Sequence, residues 1–223
     1  MRVRVTTTIL GITATLLAAP ACSTDSDSAP SVRTGMPVSD AAVLSSAALE
    51  ARLLDESDLG SGYLRKPVPS SQHNDVTVIG CPALNELGSD AATGGSLTFP
   101  RKAKASFAFG GSAVEVSEEL YSDRASKLSD GLGRIFEAMT GCPTYQVVAG
   151  GTPIDMASQK LTPPRGLGDE QWSQLLTFSI GARSTVVKQT AIRAGSLLLV
   201  VSGSPALVDR HLDKALAKAT ERS

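Results

Sequence analysis

Aromatic residues are scarce, at 4% of the chain, and there is one tryptophan. A core must then rest on Leu, Val, Ile and Ala, so sheet packing matters more than aromatic anchors. Histidine is nearly absent: His73 and His211 are the only two. With so few nitrogen ligands, a metal site built on the cysteines lacks partners. No charge of one sign dominates. The formal net charge is −1, and no basic stripe is present, which argues against nucleic acid as a partner. There is no G-x-S-x-G nucleophile elbow. Gly166-Leu167-Gly168-Asp169-Glu170 lacks the Gly-Lys-Ser/Thr ending of a phosphate loop. No cofactor is expected.

The N-terminus carries the plainest signal. Arg2 and Arg4 form a positive n-region, and Ile9 to Ala19 an apolar run too short for a membrane span. Ala19-Pro20-Ala21 supplies the small residues of a cleavage site, and Cys22 follows it. This resembles a bacterial lipoprotein signal, in which that cysteine is acylated. Ala19 stands where leucine is usual, however, and Ala-x-Ala also serves ordinary secretion. Both readings cut the same bond. Residues 1–21 are therefore expected to be a signal peptide, residues 22–38 a lipidated polar tether, and residues 39–223 one folded domain. The tether is rich in Ser, Asp and Pro. As a flexible coil of about 16 residues it spans roughly 20–25 Å. Beyond Cys22 only Cys81 and Cys142 remain, each between Gly and Pro. In an exported protein they most simply form one disulfide.

Periodicity suggests α+β. A first helix capped by Ser39 or Asp40 would bury Val43, Leu44, Ala47, Ala48, Ala51 and Leu54. Short strands or loop lead to Cys81, and Pro82 can open a short helix. Ala105, Phe107 and Phe109 alternate with polar neighbours, as do Val114, Val116 and Leu120 with Glu115, Ser117 and Glu119. That predicts a hairpin with one wet face. Residues 123–139 then take a helical period, at some cost from Gly131 and Gly133. A run of strands follows, ending in the continuously apolar Leu197 to Val201, expected to be buried on both faces. Ser204-Pro205 opens a last helix. The expected fold is a central antiparallel sheet packed with about three helices, with one disulfide.

Several landmarks occur in order: Leu53-Leu54-Asp55-Glu56-Ser57-Asp58-Leu59 with Gly62-Tyr63, Gly80-Cys81-Pro82, Cys142-Pro143, Leu167-Gly168-Asp169-Glu170, and Arg193-Ala194-Gly195. Together they resemble the extracellular sensor domain of a mycobacterial receptor serine/threonine kinase and its actinobacterial lipoprotein relatives. The similarity covers about residues 45 to 220. It implies an α+β domain with a surface cleft and a ligand-sensing role. The kinase sensor carries two disulfides, whereas Cys81 and Cys142 can form only one. With no kinase domain or membrane helix in this sequence, the implied protein is a stand-alone binding lipoprotein.

Individual reactive groups add little. His73 reads as a loop residue, and His211 beside Arg210 as an exposed helical one. Glu115, Glu118 and Glu119 read as a charged hairpin face rather than catalytic carboxylates. Tyr63 reads as packing. Arg165, Asp169 and Trp172 are the candidate rim of a cleft: Arg165 to pair an anion and Trp172 to stack on an apolar group. The expected function is a non-catalytic binding module on the outer face of the cytoplasmic membrane. Its partners are the membrane, through the lipid anchor, and a small molecule or envelope protein. The alternatives are an envelope carrier of lipid or other hydrophobic molecules, which needs an apolar cavity, and a carboxylate-based hydrolase, which needs convergent acids.

Overall fold

The apolar run Leu197 to Val201 lies at the centre of the sheet, and all five of its residues are buried. In the computed structural model, residues 42–67, 76–88, 99–111 and 114–221 are described. They fall within one compact unit. The signal peptide, the tether with Cys22, and His73 lie outside the described residues.

Nine strands are present among the described residues: β1 (Tyr63–Lys66), β2 (Val76–Ile79), β3 (Lys102–Phe109), β4 (Glu115–Ser122), β5 (Thr144–Ala149), β6 (Thr152–Leu161), β7 (Glu170–Ile180), β8 (Arg183–Ala194) and β9 (Leu197–Gly203). They form one antiparallel sheet in the order β1-β3-β4-β9-β8-β7-β6-β5-β2. Five helices accompany it: α1 (Ser46–Glu50), α2 (Glu56–Leu59), α3 (Pro82–Leu87), α4 (Ala125–Gly141) and α5 (Pro205–Thr220). Two are long and three are one or two turns, so the α+β reading holds.

The helices divide between the two faces. α1, α2 and α5 pack over β1, β3, β4, β8 and β9 on one face. Leu197, Leu199 and Val201 point into that layer, against Leu49, Leu54, Val208 and Leu212. α3 and α4 lie on the other face, over β2 and β6 to β9. There Leu198 and Val200 meet Leu128, Leu132 and Phe136. The alternation of a strand sends successive side chains to opposite faces, so an uninterrupted apolar run is what a strand covered twice requires.

The first helix differs from its expectation. It is capped at Ser45, whose hydroxyl accepts from the Ala48 amide at 3.2 Å, and lasts only five residues. The buried residue is Leu49. The reason lies further on: Asp55 and Asp58 form a reciprocal capping box that starts α2 instead of prolonging α1. The chain between them bends to bury both Leu53 and Leu54.

Cys81 and Cys142 are bonded, with Cα atoms 5.7 Å apart. The bond joins the position before α3 to the position after α4 and is packed with Leu84, Met139 and Tyr145. It spans 61 residues of sequence, for which the chain-entropy argument gives about 4 kcal/mol. Replacing both cysteines by serine should lower the unfolding free energy by about 3–4 kcal/mol in urea. Alkylation of the unreduced protein should add no mass at either position. An unchanged urea midpoint would show that the bond contributes no such constraint.

Candidate functional site

Residues 162–169 join β6 to β7, and the end of this connection, with the first residue of β7, is committed to a structural clasp. The Asp169 carboxylate accepts from Arg193 Nη1 at 3.0 Å and from the Gly195 amide at 2.8 Å. The Asp169 amide donates to the Arg193 carbonyl at 2.7 Å. Arg193 Nη2 donates to Glu170 at 2.8 Å, and Ser129 of α4 donates to the same carboxylate at 2.6 Å. The Arg193 hydrogen bond, foremost, holds the Glu170 carboxyl below its ordinary range. Gly168 sits at φ +65°, and a Cβ there would come within 2.5 Å of the Arg193 carbonyl oxygen. Glycine is required on both counts. This clasp ties the entry of β7 to the β8–β9 turn and to α4. Asp169 is thus engaged by its own chain, and Arg165 is exposed on the loop.

Trp172 has a different setting. It pairs with Ala191 in the β7–β8 register and is partly exposed. Its ring lies 6.4 Å from that of Phe136 on α4. The two rings border a hollow of about 300 Å³, together with Glu137, Thr140, Lys160 and Pro163. An aromatic wall, one ammonium, one carboxylate, the hydroxyls of Thr140 and Ser173 and the Gln171 amide therefore surround a space at the lower end of small-ligand sites. Arg165 and Asp169 do not line it. Beneath α4, Gln174 is fully buried and donates to Gln189 Oε1 at 2.9 Å, so the floor next to Trp172 is a satisfied polar row.

A second concavity lies on the opposite face of the sheet. Over β5, β6 and β7, no helix among the described residues covers the side carrying Thr144, Gln146, Asp155, Ala157 and Ser179. A shallow depression of about 400 Å³ sits there. Gln146 donates to Asp155 at 2.9 Å across it.

Two buried groups depart from the sequence reading. His211 is 5% exposed, not a surface residue. Its Nε2 shares a 2.6 Å hydrogen bond with the Tyr63 hydroxyl, joining α5 to β1. Burial, with the nearby charges of Arg210 and Lys214, lowers its pKa and keeps the imidazole neutral. The expected wet face of the hairpin is also only partly wet. Glu115 pairs with Lys66 near the surface, while Glu119 is buried with Lys104 and the Tyr121 hydroxyl. Glu118 lies on the other face, 1% exposed, between Val116 and Leu120. Its parity with those two apolar residues was the signal that it points inward. One carboxylate oxygen accepts from the Leu54 amide at 2.7 Å, and the other has no partner.

Burial pushes Glu118 up to about 7. The protonated acid is therefore the favoured folded form. The stability this supplies is complete below the unfolded-state pKa and is lost as pH rises through about 7. Glu118→Gln should reduce the fall in unfolding free energy between pH 5 and pH 8, relative to wild type, by about 2–3 kcal/mol. Parallel stability–pH curves for the two proteins would contradict this.

No protein-family model matches the chain, and no curated protein matches it. Among solved structures, the extracellular domain of PknH from Mycobacterium tuberculosis superposes with a TM-score of 0.60 at 14% identity. The match covers 81% of this chain and 99% of that one. The chain has that fold. An uncharacterised Mycobacterium smegmatis protein, an Rv0999 ortholog, matches at a TM-score of 0.40 and 11% identity, over 81% of this chain and 98% of its own. The fold implied by the sequence landmarks is thus the fold observed.

Proposed function

We propose that this chain is a membrane-anchored extracytoplasmic lipoprotein whose domain binds a small molecule or an envelope protein without catalysis. The observation that carries this reading is the fold shared with the PknH extracellular domain over 81% of the chain. The export-type N-terminus and the Cys81–Cys142 bond agree with an oxidising compartment outside the cytoplasm. No helix among the described residues is long and apolar enough to cross a membrane, so the lipid on Cys22 is the anchor in this proposal. A single acyl chain holds weakly, and stable anchoring takes more than one; the modified cysteine would need to carry several.

The Trp172 hollow is the favoured ligand site. Its aromatic wall and its opposed charges from Glu137 and Lys160 suit a small polar molecule with one flat apolar face. The carrier alternative calls for an enclosed apolar cavity, whereas this hollow is open and mixed in polarity. The hydrolase alternative calls for convergent acids. Glu118 and Glu119 point to opposite faces of the sheet, and Glu170 is held by Arg193.

Two experiments test the reading separately. Cys22→Ala should abolish metabolic lipid labelling and release the protein from the membrane fraction; undiminished labelling would remove the anchor. Native mass spectrometry of protein taken from its own membrane should show a retained small-molecule mass. Lys160→Glu should lose that mass with a melting temperature within about 2 °C of wild type, as expected for a surface substitution. Equal retention by Lys160→Glu would move the site away from Trp172. Release of a chemically altered ligand would mean turnover and overturn the non-catalytic assignment.

A further inference from the structure

We propose that a third hollow, on the solvent side of α4, binds an anionic amphiphile. It is independent of the Trp172 site. The space is the largest of the three hollows, about 530 Å³, and lies between the end of α3, Phe99 and about the first three turns of α4. That is well within the range of small-molecule sites.

Its lining divides into a charged wall and an apolar floor. Arg124, Lys127 and Arg134 are spaced to fall on one face of α4, and all three are exposed. Among the described residues, Asp130 lines the hollow beside them, and Asp123 adjoins Lys127. Lys127 is held by Asp123 at 2.6 Å and lies 5.8 Å over the Phe99 ring. Arg124 and Arg134 make no ion pair among the described residues. The arrangement does not reflect a basic protein, because the whole chain has a net charge of −1. Elsewhere on the sheet, Lys66, Lys104 and Lys188 are each matched by a carboxylate.

The floor is made by Leu87, Ile135 and Phe99. Gly131 sets its depth. A Cβ at that position would come within 2.8 Å of the Phe99 ring. The ring therefore lies against bare helix backbone, and the glycine that weakens α4 as a helix lets Phe99 pack there. Two exposed guanidinium groups, without an ion pair among the described residues, above such a floor match a molecule with an apolar body and a carboxylate, sulfonate or phosphate head. The guanidinium forks the oxygens of such a head in two parallel hydrogen bonds.

The probe is 8-anilinonaphthalene-1-sulfonate, an aromatic sulfonate, titrated into the exported protein. Binding should saturate, and it should weaken with added salt. Arg124→Ala/Arg134→Ala should weaken it about tenfold or more, the effect of losing one charge-assisted hydrogen bond. Arg124→Lys/Arg134→Lys, which keeps the charge, should restore most of it. Lys160→Glu should leave it unchanged, which separates this site from the Trp172 hollow. Decanoate should displace the dye, and decanol, of equal length and no charge, should not. Displacement by phosphatidylglycerol vesicles would identify a bilayer lipid as the source of the head group; displacement by decanoate alone would identify a free amphiphile. Unchanged dye affinity in the double alanine variant, or equal displacement by decanol and decanoate, would overturn the proposal.

Discussion

Burial of β9 on both faces is the constraint from which the rest of the architecture follows. Leu197, Leu199 and Val201 face α1 and α5, while Leu198 and Val200 face α4. A strand so covered must sit inside the sheet and between two helical layers. Neither layer extends across the whole sheet. One covers the β1–β3–β4 end and the other reaches towards β2 and β5, so the two overlap at β8 and β9. Among the described residues, no helix covers each face at one end, and the two uncovered ends are opposite. The bare surface over β3 and β4 is filled by Lys–Glu pairs, and that over β5 to β7 by Thr, Gln, Ala and Ser. Hydrophobic burial thus accounts for where the helices are; the shallow depression over β5 to β7 lies where they fall short, while the other two hollows lie against α4 itself.

The residues that make the chain resemble a sensor domain serve as fasteners. Asp55 and Asp58 cap α2 and also bind Lys218 of α5. The Ser57 hydroxyl and Lys218 together hold Asp55 well below the ordinary carboxylate range. Gly62 sits at φ +91° beside Phe109, and Tyr63 reaches His211. The 167–170 and 193–195 landmarks are the two halves of one clasp. Each is a polar or steric requirement of chain geometry, and at the buried Tyr63–His211 pair a lost partner would leave a buried group unsatisfied. Such positions specify a fold and say little about a ligand. This is why short landmarks sufficed to indicate the architecture while Asp169, offered as part of a cleft rim, proved to be occupied by its own chain.

Legibility in the sequence followed the range of the interactions concerned. The apolar run of β9, the β3–β4 hairpin, the α4 stripe and Pro205 at the start of α5 are local patterns, and each matches the structure. The first helix was misjudged because two competing local signals overlapped: an apolar period running through to Leu54 and the capping box at Asp55. His211 reads as exposed from its neighbour Arg210. Its burial depends on Tyr63, 148 residues away. Glu118 was legible by parity, but three glutamates in five residues obscured it. The Trp172 hollow was half legible. An aromatic at the start of a strand marked the segment, yet its partners Phe136 and Lys160 come from other elements.

α4 forms a wall of both proposed sites, and this places a limit on how they can differ among chains of the same fold. Phe136, Glu137 and Thr140 near its C-terminal end face the Trp172 hollow, while Arg124, Lys127 and Arg134 line the other. The helix is held at its end by the Cys81–Cys142 bond and towards its middle by Ser129 on Glu170. Its inward stripe is locked by Leu128, Leu132 and Met139, none more than 2% exposed. Substitutions on its outer and end positions can therefore change the chemistry of either hollow without moving the helix, since surface changes away from packed groups alter stability little. Under the proposed reading, side chains at the margins of α4 and at the facing ends of β6 and β7 would set what each hollow accepts, while the buried stripe and the clasp keep the walls in register.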